Sequence, residues 1–219
     1  MSRSPFDPTI EQLPRTLPLF PLTGVLLLPG GRLPLNIFEP RYLEMTRDAL
    51  KADRIIGMVQ PREGQEKARA PEVYRLGCAG RITEFSESDD GRYLITLSGL
   101  CRFDIREELP MVGGYRRVAP DFSPYYHDFA DAPDGIVDRA RLIAATRVYF
   151  RLHNIEADWK AIETARDERI VTTLAMLCPF APSEKQALLE CRGLADRGRV
   201  LITLFEMAAV GTGGGEARH

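Results

Sequence analysis

The sequence has few cysteines and histidines, and those present are scattered. Its 219 residues include four cysteines and three histidines. There is no CxxC pair, whereas zinc sites and disulfide frameworks depend on closely spaced ligands. Each cysteine has apolar neighbours, so we expect small buried side chains, with no metal and no cofactor. The residues are Cys78, Cys101, Cys178, Cys191, His127, His153 and His219.

Long apolar runs are missing as well. The longest, residues 25–28, is followed directly by Pro29-Gly30-Gly31, whereas a membrane-spanning helix needs roughly 18 apolar residues. The first seven residues have no apolar core of the kind that secretory signals carry. The sequence therefore predicts a cytoplasmic protein without a membrane partner.

Charge of one sign is not in excess. The 29 Lys and Arg residues nearly balance the 31 Asp and Glu residues, for a formal net charge of −2. Nucleic-acid binding needs a concentrated positive field, so no nucleic-acid partner is expected. Arg102 and Arg106 alternate with acidic residues, and we expect them on a solvated face of mixed charge.

The local motifs of common enzymes are absent. The chain contains no Walker A sequence, no GxSxG and no HExxH, and residues 211–216 fit a dinucleotide fingerprint only in part. Ser98-Gly99 is expected in a turn between strands. His127 and His153 could serve as acid–base groups, although surface or capping roles fit their positions better. Catalytic partners need only be close in space, so a site assembled by folding stays an open alternative.

The first half of the chain favours β structure. Four prolines within residues 16–34 cannot all lie in a central sheet ladder, because proline lacks an amide hydrogen. We therefore expect edge strands or bulged barrel strands here. Further strands are predicted at 54–60 and 101–106, and a hairpin at Asp90-Gly91. Together they predict a small closed or nearly closed barrel. The prolines are Pro18, Pro21, Pro29 and Pro34.

One helix interrupts these strands. Glu39-Pro40 opens it, since proline suits the first turn of a helix. A polar loop is predicted later, at residues 62–72. The expected inward face of the helix consists of Tyr42, Leu43, Met45, Thr46, Ala49 and Leu50.

The second half favours helices, after a connecting loop at residues 120–135. Ser183 with Gln186 fits a capping box that starts one helix, and a last helix is predicted from about Asp196 to Ala208. Two apolar stripes at helical spacing are expected to face the core. They are Val137, Ala140, Ala144, Val148 and Leu152, and then Ile170, Leu174 and Leu177.

These patterns divide the chain. A β-rich part is predicted over residues 14–120 and a helical bundle over residues 134–210. Residues 1–13 and 211–219 are predicted to be flexible termini.

Several motifs occur in a defined order. The opening motif reads LPLFPL over residues 17–22, VLLLPG over 25–30 and LPLNIFEPRY over 33–42. Shorter motifs follow: GCAGRI at 77–82, DGRY at 90–93, GLCRF at 99–103 and KQALLE at 185–190. This series resembles the N-terminal substrate-binding domain of Lon proteases, over roughly residues 14–207.

The resemblance implies an α+β fold, namely a PUA-like β pseudobarrel with a short helix, followed by a C-terminal α-helical bundle. In Lon this region recognises unfolded or tagged proteins and is followed by an ATPase and a Ser-Lys protease. Since the sequence ends before either, the resemblance implies a stand-alone, non-catalytic recognition module. Its expected partners are client proteins or peptides, with a separate protease as a further candidate partner.

Four residues of the opening motif are the candidate protein-binding site: Phe38, Glu39, Arg41 and Tyr42. In a functional interpretation, Phe38 and Tyr42 line an apolar groove and Glu39 or Arg41 orients the partner, since Tyr and Arg are frequent in binding hot spots. In a structural interpretation, Glu39 pairs with Arg41 and Tyr42 belongs to the core.

A second functional class remains open. PUA-like barrels have many uses, so the alternative is a small-ligand or RNA-binding protein, or an enzyme whose site is assembled by folding. A deep pocket rimmed by Arg or His would favour this alternative.

Overall fold

Six strands form one sheet, and the longest of them closes it into a barrel. The computed structural model describes residues 8–64, 71–130 and 133–213, with side chains up to residue 210. The strands in these ranges are β1 (Leu17–Pro21), β2 (Arg32–Ile37), β3 (Ile55–Val59), β4 (Leu76–Glu87), β5 (Tyr93–Val112) and β6 (Tyr115–Asp121).

Six α-helices and two 3₁₀ segments complete the described part of the chain. One helix lies between β2 and β3, and the other five follow β6. The helices are α1 (Pro40–Lys51), α2 (Arg139–Leu152), α3 (Trp159–Thr164), α4 (Asp167–Leu177), α5 (Pro182–Glu190) and α6 (Leu194–Gly213); the 3₁₀ segments are Ile10–Gln12 and Ser123–Phe129.

Strand β5 closes the barrel because it has different partners along its length. Its first half pairs with β2 and β4, and its second half pairs with β6. Pairings of β6 with β1, β1 with β3, and β3 with β4 complete the ring. A register shift between Ile105 and Glu107 accompanies the change of partner, as bulges do where a strand bends. The expected α+β class and closed barrel are confirmed.

Three of the four prolines lie in strands, and Pro29 lies in a turn. Strand β1, which contains Pro18 and Pro21, has a neighbour on each side and is a barrel strand. Strand β2, which contains Pro34, is at the edge of the sheet order, paired with β5. A proline on an edge strand hinders the addition of a further strand.

Ser98-Gly99 lies within β5, so the predicted turn at these residues is wrong. The β2–β5 ladder continues into the preceding loop, where Gly30 donates to the Gly99 carbonyl at 2.9 Å and Gly99 donates to Gly31 at 2.8 Å. A Cβ atom at Gly99 would overlap the carbonyl of Leu28. Glycine is therefore required here by the close approach of two backbone segments.

Helix α1 begins at Pro40, as predicted. Its buried side chains include four of the six expected inward residues, and Leu43 and Leu50 are half-buried. The buried residues are Tyr42, Met45, Thr46 and Ala49.

Helix α2 turns a different face to the core than the sequence predicts. Ala140, Ala144, Val148 and Leu152 are exposed, and the core side of the helix carries Tyr149 instead, whose ring centroid lies 4.7 Å from that of Phe205. Burying aromatic rings removes more apolar surface from water than burying Ala and Val does. The buried residues of α2 are Leu142, Ala145, Thr146, Tyr149 and Phe150.

The remaining helices agree with the sequence in position and differ at their ends. In α4, Ile170 and Leu174 are buried as expected, but Leu177 is 74% exposed in the last turn. Helix α5 begins at Pro182, and the Glu184 carboxylate accepts the Ala181 amide hydrogen at 2.7 Å, so the predicted cap at Ser183 is wrong. Proline occupies the first helical position, where its missing amide hydrogen costs nothing.

The two ends of the chain are described in part. Helix α6 begins at Leu194 and extends to Gly213, past the predicted end. Leu13, which follows the first 3₁₀ segment, packs against the barrel interior. Residues 1–7 and 214–219 of the predicted flexible termini lie outside the described residues, as do residues 65–70 of the predicted loop.

The apolar core is shared by the barrel and the helices. One cluster of buried residues includes Leu27, Ile37 and Leu97 from the sheet region together with Leu142 and Phe205 from the helices. A smaller cluster fills the barrel interior. No helix among the described residues has the length and apolar character needed to cross a membrane.

Candidate functional site

The four candidate residues lie in different surroundings. Phe38 is 62% exposed, beneath the Arg92 guanidinium at 5.8 Å from its ring centroid. Tyr42 is buried, and its ring centroid lies 4.3 Å from that of Phe20. Tyr42 therefore belongs to the core and cannot line the apolar groove of the functional interpretation.

The two charged candidates pair with each other. Arg41 Nε donates to Glu39 Oε2 at 2.9 Å, and the Arg41 guanidinium lies 4.5 Å from the centre of the Tyr42 ring. Burial raises the pKa of the Tyr42 hydroxyl. Glu39, Arg41 and Tyr42 therefore fit the structural interpretation. Phe38 is the one candidate residue of the four that is mainly exposed.

Other apolar side chains are exposed near Phe38. Leu94 is 46% exposed and lies opposite Asn36 in the β2–β5 ladder. Cross-strand partners share one face of a sheet, so Leu94 points to the outer side, where Asn36 is exposed. Phe85 is 45% exposed and packs against Tyr93 at 5.1 Å. Phe85 pairs with Ile95, the residue after Leu94, so it points to the opposite face of the sheet. We call Phe38 and Leu94 the apolar rim.

Helix α1 lies between this rim and the β5–β6 hairpin. On the rim side, Arg47 Nε donates to the Tyr93 hydroxyl at 2.9 Å. On the hairpin side, the Tyr115 hydroxyl donates to Asp48 at 3.0 Å. Burial, followed by this hydrogen bond, raises the pKa of Tyr115 to about 12. These contacts fix the outer face of α1 relative to the sheet.

Two glycines allow the hairpin to approach α1. Gly113 and Gly114 have φ values of 56° and 81°, in the left-handed region that favours glycine. A Cβ atom at Gly113 would lie 2.7 Å from Glu44 Cγ, and one at Gly114 would lie 3.5 Å from Arg41 Cβ. Met111, just before these glycines, is 66% exposed.

A cleft of about 540 Å³ opens beside this hairpin, between β5, β6 and the segment that leads into β4. Its basic lining consists of Arg62, Arg75 and Arg116, and we call it the arginine cleft. Arg116 pairs with Glu108 and donates to the Pro71 carbonyl at 2.7 Å.

The other two arginines have no carboxylate partner among the described residues. Arg75 donates to the Ile105 carbonyl at 2.9 Å, and Arg62 lies 5.4 Å from the centre of the Tyr74 ring. Both are exposed. The apolar part of the lining is Val73, Ile105 and Met111.

Arg102, predicted on a solvated face, is buried. Its side chain is 1% exposed and forms a 2.8 Å ion pair with Asp128. It also donates to the carbonyls of Leu189, at 3.1 Å, and Cys191. Both faces of β5 are covered by protein at this point. The alternation of polar and apolar residues along the strand therefore does not predict which side chains are exposed.

A second buried arginine satisfies the same helix end. Arg197 Nε donates to the Leu188 carbonyl at 2.9 Å. Burial, then the charge of Arg102, lowers the pKa of the Arg197 guanidinium. The last carbonyls of a helix have no partner within the helix and carry its negative dipole end. Arg102 therefore binds the C-terminus of α5 to the barrel, and Arg197 binds it to α6.

The KQALLE motif has the same structural role. Lys185 Nζ donates to the Gly24 carbonyl at 2.8 Å, and Gln60 donates to the Pro182 carbonyl at 3.0 Å. Gln186 is 2% exposed and lies against the start of β4. These motif residues hold α5 on the barrel.

The histidines and cysteines have structural positions. His127 Nε2 lies 2.9 Å from Arg102, and His153 is the C-cap residue of α2, in accord with the surface and capping roles predicted for them. All four cysteines are buried, as predicted, and none forms a disulfide. Among the described residues, no group of three or more His, Cys, Asp or Glu side chains could hold a metal ion.

Comparison with known sequences gives a consistent set of relatives. A family model described as the ATP-dependent protease La (LON) substrate-binding domain matches residues 16–206. Lon protease 2 of Myxococcus xanthus is 32% identical over 98 residues, 44% of this chain and 12% of that protein. Lon protease of Flavobacterium johnsoniae is 26% identical over 199 residues, 85% of this chain and 23% of that protein. The chain spans less than a quarter of the length of either relative.

Two solved structures share the fold. The Lon N-terminal domain protein from Xanthomonas campestris has a TM-score of 0.58 and 25% identity, over 87% of this chain and 97% of that one. The N-terminal domain of the Mycobacterium avium complex Lon protease has a TM-score of 0.62 and 17% identity, over 87% and 98% of the two chains. The barrel and the helices both lie within the range that the family model matches.

Proposed function

Because the chain belongs to the LON substrate-binding domain family, and so has the role of a substrate-recognition module, we propose that it binds client proteins in the cytoplasm, unfolded chains above all, and performs no chemistry itself. A separate protease would act on the clients it holds. The four reduced cysteines fit a cytoplasmic compartment.

The apolar rim is the observation that supports this function. Phe38 and Leu94 are 62% and 46% exposed near the end of β2. Grouped exposed apolar side chains are typical of interaction surfaces, and an unfolded chain offers the apolar side chains that such a surface can bury. Each large side chain that becomes buried contributes about 1.5–3 kcal/mol at most.

The test measures binding of an unfolded chain to a rim variant. Ribonuclease A that is reduced and carbamidomethylated stays unfolded and is basic, so its binding does not depend on attraction to arginines. We expect the double variant Phe38→Ser/Leu94→Ser to weaken binding about tenfold or more in fluorescence anisotropy.

Leu177→Ser is the matched control, since Leu177 is 74% exposed on α4 and Met176 beside it contacts Gly31 before β2. Phe38 follows the far end of β2, about 20 Å away at the usual rise of a strand. Equal binding by wild type and rim variant would refute the site. Failure of the wild type to prefer unfolded over native ribonuclease would refute the function.

A second candidate function is favoured by one observation. The arginine cleft is a pocket rimmed by Arg62, Arg75 and Arg116, a feature that suits a small anionic ligand. Titration calorimetry with citrate and with inorganic phosphate tests this candidate, which requires binding that Arg75→Ala abolishes.

A further inference from the structure

We propose that the arginine cleft binds an acidic, partly apolar segment of a client polypeptide, through Arg62 and Arg75. This inference rests on the proposed function, because it names a class of client sequence. The cleft would add a preference for acidic client sequences, which the apolar rim does not provide.

The first observation that supports this proposal is the charge of the cleft lining. Arg62 and Arg75 are exposed and lack a carboxylate partner among the described residues. Guanidinium groups present several N–H donors in a fixed plane that matches a carboxylate. Two such groups on one cleft therefore favour an anionic ligand.

The third arginine shows the geometry that the cleft can provide. Arg116 uses both Nε and a terminal nitrogen on the two oxygens of Glu108, a two-point pairing typical of arginine and carboxylate. With its other terminal nitrogen on the Pro71 carbonyl, Arg116 is fully engaged. The ligand carboxylates are thus left to Arg62 and Arg75.

The apolar lining favours a peptide over a small anion. Val73, Ile105 and Met111 line the same cleft, and Met111 is 66% exposed. A volume of about 540 Å³ is typical of sites that hold a ligand with several groups. A side chain such as Leu next to an acidic residue would bury apolar surface on Met111 while its neighbour reaches Arg75.

The position of the cleft also suits a client polypeptide that extends beyond the cleft. Met111 belongs to the hairpin whose Gly114 approaches Arg41 of α1. The cleft is therefore next to the helix that borders the apolar rim. One extended client segment can leave the cleft over this hairpin.

Two lining residues are acidic: Glu108, which is paired with Arg116, and Glu72, which opposes an anionic ligand. The Glu72 carboxylate is exposed in the cleft, where it repels a ligand of the same charge. Removing the Glu72 charge gives a second test, in which binding of an anionic ligand should become tighter instead of weaker. Glu72→Gln keeps the size of the side chain, so the change in binding reports the charge.

The experiment compares two fluorescein-labelled peptides composed of Leu, Ala and either Glu or Lys in the same positions. We expect the folded chain to bind the Glu peptide at least about tenfold more tightly, with binding that weakens as NaCl is added. Arg62→Ala and Arg75→Ala should each weaken the Glu peptide about tenfold, and Glu72→Gln should tighten it. Arg199→Ala, at an exposed arginine on α6, is the control and should change nothing.

Each contrary outcome overturns the inference. One is equal affinity for the two peptides, and another is unchanged binding in both arginine variants. A third is binding of citrate in the cleft without binding of the Glu peptide, which would establish the small-anion candidate instead. Circular dichroism confirms that the variants are folded, and Glu72→Gln supplies a test that lost folding cannot imitate. Unfolded ribonuclease, measured in parallel, shows whether client binding itself survives.

Discussion

Arg102 and Asp128 form a 2.8 Å ion pair with 1% and 7% of their side chains exposed. Asp128 belongs to the 3₁₀ segment that follows β6, and Arg102 also donates to carbonyls at the end of α5. One guanidinium therefore joins the barrel wall, the connecting segment and the helical part of the chain. A buried charge is tolerated at such a point because every side of it meets an acceptor.

Asp128→Ala leaves Arg102 buried with its charge uncompensated. We expect the free energy of unfolding to fall by about 3–5 kcal/mol, measured by urea denaturation. Glu206→Ala is the control, because Glu206 pairs with Arg141 on the surface with 42% of its side chain exposed, where solvent screens the attraction and the pair adds little stability. A similar loss in the two variants would contradict the role of Arg102.

Gly99→Ala places a methyl group against the Leu28 carbonyl. Since the opposing atoms are backbone, the strand has to shift, and we expect a loss of about 1–3 kcal/mol or more. Gly193→Ala is the matched control, because nothing lies within 4 Å of the added atom. Thermal melts that show equal midpoints for the two variants would argue against the close approach of β5 and the 22–31 loop.

The β structure of the first half and the first helix could be predicted from the sequence, because their signals are local. Proline is favoured in the first turn of a helix and disfavoured in its interior, which marks the helix start at Pro40. The dipeptide Asp90-Gly91 is a strong hairpin signal. The GLCRF motif behaves differently. Its arginine alternates with apolar residues, and alternation predicts exposure only where one face of a strand meets water. Here both faces of β5 are covered, and no local signal reports that.

The candidate site shows the same limit. Phe38 and Tyr42 are both aromatic residues of the motif, yet one is 62% exposed and the other 7%. The difference comes from Phe20 on β1, which covers the Tyr42 ring. The arginine cleft could not be predicted from the sequence, because Arg75 and Arg116 are brought together by the closure of the barrel. A set of residues gathered by long-range strand pairing leaves no spacing pattern in the sequence.

The orientation of α2 can be tested with a pair of neighbouring residues. Phe150 is buried and Val148 is 42% exposed, although the sequence predicts Val148 on the inward face. Phe150→Ala should cost about 3–5 kcal/mol of unfolding free energy, whereas Val148→Ala should change it by about 0.5 kcal/mol or less. Guanidinium denaturation of the two variants measures the difference, and the reverse ranking would restore the predicted face.

Alkaline pH should destabilise the fold through three tyrosines. Burial, as the largest cause, raises the pKa of Tyr115, Tyr125 and Tyr149 to about 12, from 10.0. Between these values the unfolded chain loses protons that the folded chain keeps, so the free energy of unfolding falls as pH rises from 10 towards 12. Below pH 10 this contribution is fully present.

Tyr115→Phe should make the fall in urea midpoint between pH 9 and 11 less steep, because one of the three tyrosines no longer titrates. Equal slopes in wild type and Tyr115→Phe would contradict the assignment.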